Sequence, residues 1–212
     1  MKLCYVTDRK ALANPPDAQI RAVLDKIETV ARAGVDWIQI REKDLSAREL
    51  AALVSEAMRR VPTTCRVLVN DRLDVAIAVG AGGVHLGEHS MPVQDAKRLA
   101  KETQLDSDFL VGVSTHSLEA AQAAEKNGAN YLIFGPVFAT PSKAAFGQPQ
   151  GVEQLRKVCA SVSIPTIAIG GVTEQNAEQC AQAGAAGIAA IRLFQDVPDV
   201  GTIVGTLRKV AG

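Results

Sequence analysis

Ala33-Gly34-Val35-Asp36 followed by Trp37-Ile38-Gln39-Ile40 is the first of four matching passages in this chain. In each, a small-residue turn built round glycine runs straight into a short apolar stretch. Gly80-Ala81-Gly82 precedes Gly83-Val84-His85-Leu86, and Asn127-Gly128-Ala129-Asn130 precedes Tyr131-Leu132-Ile133-Phe134. Ala183-Gly184-Ala185 precedes the apolar run from Ala186 to Ile191. The turns recur at intervals of roughly 50 residues, about two strand–helix units. An internal period of this kind is read before any local signal. Four double units make eight strands and eight helices, which predicts a (βα)8 TIM barrel, an α/β fold. Its chemistry is then expected at the C-terminal ends of the strands.

A chain of 212 residues suits a single barrel domain over residues 1–212, with short loops. Hydrophobic residues make up 47% and aromatics only 4%, so Ala, Val, Ile and Leu must fill the core. Lys plus Arg and Asp plus Glu are equal at 23 each, which argues against a nucleic-acid partner, since that would call for a basic surplus. Cys4, Cys65, Cys159 and Cys180 show no C-x-x-C spacing, and Cys4 and Cys65 read as small buried hydrophobes. Met1-Lys2 leads directly into a strand-like run, too short for a secretory h-region, and no apolar stretch reaches bilayer length. The expected compartment is the cytoplasm, with no membrane partner.

Short apolar runs predict strands over 3–7, 37–40, 66–69, 83–86, 109–113, 131–134, 166–169 and 187–191. Between them, Ile20, Val23, Leu24, Ile27 and Val30 recur at helical spacing within 16–33. Ser46 with Glu49 forms a capping-box pattern, Pro92 opens a helix, and Ser117 caps another. Further helices are expected from Gly151, from Thr173, and between Asp199 and Val210. The stretch 135–150 has no clear period and is the longest loop, a common place for function.

Polar residues collect after the strands. They are Asp8; Gln39, Arg41, Glu42 and Lys43; Asn70, Asp71 and Arg72; His85, Glu88 and His89; Ser114, Thr115 and His116; Thr140, Ser142 and Lys143; and finally Arg192. Arg41, Lys43 and Lys143 set cations around one mouth, beside a carboxylate, Asp71, able to hold Mg²⁺. That combination suits a diphosphate, although the same residues also serve as ordinary rim ion pairs. Gly170-Gly171 after strand seven, with Ile191-Arg192 after strand eight, falls at the usual phosphate corner of this fold. Glycine pairs also serve tight turns. Taken together, the rim suggests a monophosphate on one side and a diphosphate on the other.

The segments WIQIREKD, VLVNDRLDVAIAVGAGGVHLGE, VGVSTHSLEAA, YLIFGPVFATPSK, PQGVEQL and IPTIAIGGV, in this order, closely resemble the thiamine phosphate synthases and their sister group, the TenI-type thiazole tautomerases. The resemblance covers essentially the whole chain. It implies a transferase of thiamine biosynthesis that joins hydroxymethylpyrimidine diphosphate to a thiazole phosphate and releases pyrophosphate, with Mg²⁺. Gln39, Arg41 and Lys43 match the segment that grips the pyrimidine diphosphate. Asn70 matches a pyrimidine contact and Asp71 a Mg²⁺ ligand. Ser114 and Lys143 match pyrophosphate-side residues, while Thr140 and Ser142 match contacts to the thiazole substrate. Gly171, with Gly170, matches the phosphate corner.

Two positions depart from the synthase pattern. Where the family reads Gln-Glu-Asp after GVHLG, this chain has Glu88-His89-Ser90, so the second metal carboxylate is replaced by a hydroxyl and Glu88 is the nearest substitute. Where the family places serine after strand eight, this chain has Arg192 beside Ile191. The alternative within the resemblance is a metal-independent tautomerase with His116 as its acid–base group. A barrel that binds thiazole phosphate without turnover, as a regulator, is the third reading. The residues leave the oligomeric state open, a homo-oligomer included.

Overall fold

The computed structural model describes residues 1–13, 15–103, 108–140 and 148–210. Its strands are β1 (Lys2–Val6), β2 (Trp37–Ile40), β3 (Arg66–Asn70), β4 (Gly83–Leu86), β5 (Leu110–Thr115), β6 (Tyr131–Phe134), β7 (Thr166–Ile169) and β8 (Gly187–Ala190). All pairs are parallel, each strand lies beside its sequence neighbour, and β8 pairs with β1 to close the barrel. The helices are α1 (Pro16–Arg32), α2 (Ala47–Arg60), α3 (Leu73–Val79), α4 (Val93–Glu102), α5 (Leu118–Lys126), α6 (Gly151–Ser161), α7 (Ala177–Gln182), α8 (Arg192–Gln195) and α9 (Val200–Lys209).

The sequence period has a backbone cause. Gly34, Gly80, Gly128 and Gly184, which follow α1, α3, α5 and α7, all take positive φ (99°, 66°, 88° and 93°). Such left-handed ends suit glycine because they carry no Cβ penalty, and they turn the chain from helix to strand. Ser46 and Glu49 form the expected capping box on α2, and Ser117 caps α5.

Alternation along the strands sorts the side chains into two cores. Leu3, Tyr5, Ile38, Ile40, Val67, Val69, Leu132 and Phe134 point outward to pack under the helices. Cys4, Val6, Leu68, Tyr131, Ile133, Ile167 and Ala189 fill the barrel interior. The same alternation turns Gln39, Asn70, His85 and Ser114 inward at the upper ends of β2 to β5. The C-terminal helix α9 is tied back to the start of the chain: Arg208 donates to the carbonyls of Met1 and Gly34 and to Asp36, at 2.8 Å for the last.

Several boundaries differ from expectation. Strand β5 runs to Thr115, while β8 stops at Ala190 and Ile191 caps the short helix α8, which the sequence reading lacked, as it lacked a 3-10 turn at Arg9–Ala11. Helix α7 starts at Ala177 and not at Thr173. The Asn176 side chain accepts from the Thr173 amide at 2.7 Å and donates to the Gly171 carbonyl at 2.9 Å, which holds 173–176 as a separate turn. No helix among the described residues is long and apolar enough to cross a membrane.

Candidate active site

The mouth is organised by a string of side chains across β2 and β3. Gln39 Nε2 donates to Asn70 Oδ1 at 2.9 Å, and Asn70 Nδ2 donates to Asp71 Oδ2 at 3.0 Å. Gln39 is 4% exposed, and its Oε1 is buried with no hydrogen-bond partner among the described residues. A buried acceptor left this way is costly, which makes it a mark of a missing donor. Asp71 has a φ of 60°, a left-handed conformation that costs an L-residue about 1–2 kcal/mol and that aspartate tolerates through local hydrogen bonds. Its amide donates to the His85 carbonyl at 2.9 Å, so the kink at the end of β3 is tied to β4.

Burial works against the Asp71 charge, but the Ser90 hydroxyl, the Gly87 amide, the Lys43 ammonium and the Asn70 amide outweigh it. The carboxyl is held below its ordinary range and is ionised at neutral pH. A cavity of about 230 Å³ opens beside it, lined by Glu42, Lys43, Asn70, Asp71 and Arg72 with Leu45 and Leu50 on its apolar side.

Between Arg41 and Lys43, the Glu42 carboxylate is buried and bound to the turn that follows β1. It accepts from Thr7 Oγ1 at 2.6 Å, from the Arg9 amide at 3.1 Å and from Arg9 Nη1 at 2.9 Å. Arg9 also forks onto Asp44 at 2.7 and 2.8 Å, and the Arg41 amide donates to Thr7 Oγ1 at 3.0 Å. The one carboxylate in the cation segment is therefore neutralised underneath it. Arg41 is half-buried, Lys43 is exposed, and neither forms a salt bridge among the described residues.

Ser114 is half-buried at the upper end of β5, with its Oγ 2.8 Å from His85 Nε2. On the neighbouring rim, His116 Nδ1 contacts the Gly135 carbonyl, and its Nε2 lies 3.9 Å from Glu88 Oε2. Glu88 thus faces His116 and shares no hydrogen bond with Asp71. Among the described residues, no three His, Cys, Asp or Glu side chains gather as a metal cage.

Gly170 and Gly171 have φ of 93° and 65°, and their missing side chains admit the segment after β6. A Cβ on Gly170 would lie 2.5 Å from Pro136 Cβ, and one on Gly171 would lie 2.5 Å from the Ala139 carbonyl oxygen. The glycine pair therefore also serves packing, as a tight turn does. Arg192 is exposed as the first residue of α8 and forms no ion pair among the described residues, while Ile191 packs against the interior core. Thr140 is half-buried. Ser142 and Lys143 lie outside the described residues.

The structure thus brings Gln39, Asn70, Asp71 and Ser114 to the upper ends of β2, β3 and β5 and leaves Arg192 exposed at the start of α8. Sequence reasoning gave no role to His85, although Val84 and Leu86 facing outward imply that His85 faces inward. It also gave none to Thr7, Arg9 or Tyr131.

A closed (βα)8 barrel with its polar groups gathered at the strand C-termini is the layout of a barrel enzyme. Residues 3–194 match the family model described as thiamine monophosphate synthase, and the chain belongs to that family. It is 40% identical over 190 residues to a thiamine-phosphate synthase of Methanoculleus marisnigri, covering 89% of this chain and 87% of the relative. It is 36% identical over 208 residues to one of Roseiflexus castenholzii, covering 97% and 86%. A solved thiamine phosphate pyrophosphorylase from Pyrococcus furiosus superposes with a TM-score of 0.83 at 35% identity, covering 99% of this chain and 95% of that one.

Proposed function

We propose that this chain is a thiamine-phosphate synthase that joins hydroxymethylpyrimidine diphosphate to a thiazole phosphate. The bond from the pyrimidine methylene carbon to the diphosphate oxygen breaks, and pyrophosphate leaves with the electron pair. The thiazole nitrogen supplies the pair for the new carbon–nitrogen bond. The observation that carries this reading is the mouth itself. The buried Gln39 Oε1, unpartnered among the described residues, awaits a donor such as a pyrimidine amine, and beside it Arg41 and Lys43 form no salt bridge among the described residues, while the Lys43 charge reaches the Asp71 carboxylate at the same mouth.

On this reading Gln39 and Asn70 hold the pyrimidine, while Arg41, Lys43, Ser114 and Lys143 stabilise the departing charge. Thr140, Ser142, Gly170, Gly171, Ile191 and Arg192 take the thiazole phosphate side. Asp71 fits a Mg²⁺ site that the diphosphate completes. It is an ionised carboxylate at the mouth, and Mg²⁺ commonly sits on one or two carboxylates plus substrate phosphates. Bound there, the cation would neutralise diphosphate charge.

The test is incubation of the purified protein with both substrates and Mg²⁺, with thiamine phosphate read as thiochrome fluorescence after oxidation. Product formation is expected. Lys143→Ala is expected to lower kcat by about 10²–10³, as loss of a donor to developing charge does, with the melting temperature unchanged. One observation favours a tautomerase instead: Ser90 stands on Asp71 where a second metal carboxylate is usual. Proton exchange on the thiazole phosphate without coupling would support that reading.

A further inference from the structure

Inside the barrel a hydrogen-bonded chain runs across β4, β5 and β6, and the roles above use only its last member. His85 is in register with Gly112, and Gly112 with Tyr131, so the three occupy one level of the sheet. The Tyr131 ring fills the space that Gly112 leaves: a Cβ there would lie 2.0 Å from Tyr131 Cζ. This position carries the phenol to 3.1 Å from His85 Nδ1, while His85 Nε2 lies 2.8 Å from Ser114 Oγ. His85 and Tyr131 are 2% and 1% exposed, so only Ser114 opens to the mouth.

The direction of the protons follows from counting them. Tyr131 has one hydroxyl proton, and among the described residues His85 Nδ1 is the acceptor within reach. A neutral imidazole has one N–H and one bare nitrogen. If Tyr131 donates to Nδ1, then Nε2 carries the ring proton and donates to Ser114 Oγ. The Ser114 proton is then directed away from the ring. The reverse direction leaves the buried phenol proton without an acceptor, a penalty that folded proteins avoid. The ring is 2% exposed and both of its nitrogens face hydroxyls, with no carboxylate bonded to either among the described residues, which is the setting of a neutral imidazole.

We propose that Tyr131 and His85 are positioning residues that fix Ser114 as a hydrogen-bond donor into the mouth, aimed at a diphosphate oxygen. The identity of the anion rests on the transferase reading; the proton direction does not. The arrangement also denies Ser114 a second role. A serine beside a bare imidazole nitrogen is an activated nucleophile, whereas one beside an imidazole N–H has no base to take its proton. Ser114 is therefore placed to offer the leaving group a neutral donor and not to act as a competing attacking oxygen.

Nuclear magnetic resonance on ¹⁵N-histidine-labelled protein reads the direction without any variant. The expected result is a protonated Nε2 and a bare Nδ1 at His85, a preference that Tyr131→Phe weakens. A protonated Nδ1 in the unaltered protein overturns the proposal. Inorganic pyrophosphate, titrated calorimetrically, reads the consequence. Tyr131→Phe and Ser114→Ala should each raise its Kd several-fold, and the double variant should bind no more weakly than Ser114→Ala alone, as members of one chain do. Unchanged affinity in a folded Tyr131→Phe protein also overturns it. Loss of pyrophosphate binding by the unaltered protein, with Nε2 protonated, upholds the proton direction and counts against the diphosphate reading.

Discussion

The Ser90 hydroxyl donates to Asp71 Oδ1, the same oxygen that receives the Gly87 amide at 2.9 Å. The pair holds the carboxylate in place and ionised, but with one anionic group where two would grip a hard cation. Ser90→Asp should therefore tighten Mg²⁺ binding by about 10-fold or more in the absence of substrate, measured by titration calorimetry. Without metal the two facing carboxylates should repel and lower the melting temperature, and Mg²⁺ should restore it. Equal Mg²⁺ affinity in the variant and the parent would remove Asp71 from the metal site.

Arg9 should matter for stability beyond its own size. Arg9→Ala leaves the Glu42 carboxylate, 5% exposed, without its counter-charge. Breaking a buried pair from one side costs about 3–5 kcal/mol. Urea unfolding should show a loss of this order, and combining Arg9→Ala with Glu42→Gln should recover part of it. If the single variant unfolds at the parental midpoint, the clamp under Arg41 and Lys43 contributes nothing.

His85 should make the fold acid-sensitive in a defined window. Its pKa is lowered by burial from 6.5 to about 4, so the unfolded chain binds the extra proton first as pH falls. Its contribution is whole above pH 6.5, shrinks toward about pH 4 and is spent below that, a total of about 3 kcal/mol. Unfolding free energies at pH 7.5 and pH 4.5 should differ by less in His85→Gln than in the parent. Identical pH slopes for the two proteins would show that His85 charges as readily folded as unfolded.

Gly171→Ala should cost both stability and substrate affinity. The new Cβ meets the Ala139 carbonyl oxygen and sits on a φ of 65°. Crowding of this kind costs about 1–3 kcal/mol. The KM for thiazole phosphate should rise while that for the pyrimidine diphosphate holds. A variant with an unchanged melting temperature would mean that the two loops do not meet this closely.

What the sequence made legible was what local chemistry encodes. WIQI, GVHL, YLIF and TIAI begin and end where their apolar character does, and the glycines ahead of the first three mark left-handed helix ends. Gln39, Asn70, Asp71 and Ser114 were readable because each falls at a strand's upper end. The relations between distant residues were not. Arg9 and Glu42 are 33 residues apart and His85 and Tyr131 are 46 apart, and nothing in either neighbourhood names its partner. The uniformly apolar run from Gly187 to Ile191 predicts a strand that ends at Arg192. The strand stops one residue early, and Arg192 belongs to a helix.

The seam between β1 and β8 carries a consequence for how the molecule is made. β1 has one partner nearby, but its other edge waits for Gly187 to Ala190, almost the whole chain away. During synthesis on the ribosome that edge stays bare while the six strands β2 to β7 are laid down, and bare parallel edges are templates for pairing with other chains. Any product that stops before β8 has two such edges and lacks the Arg208 fastening. Premature termination of this protein therefore yields an open, self-adhesive sheet in place of a shorter barrel.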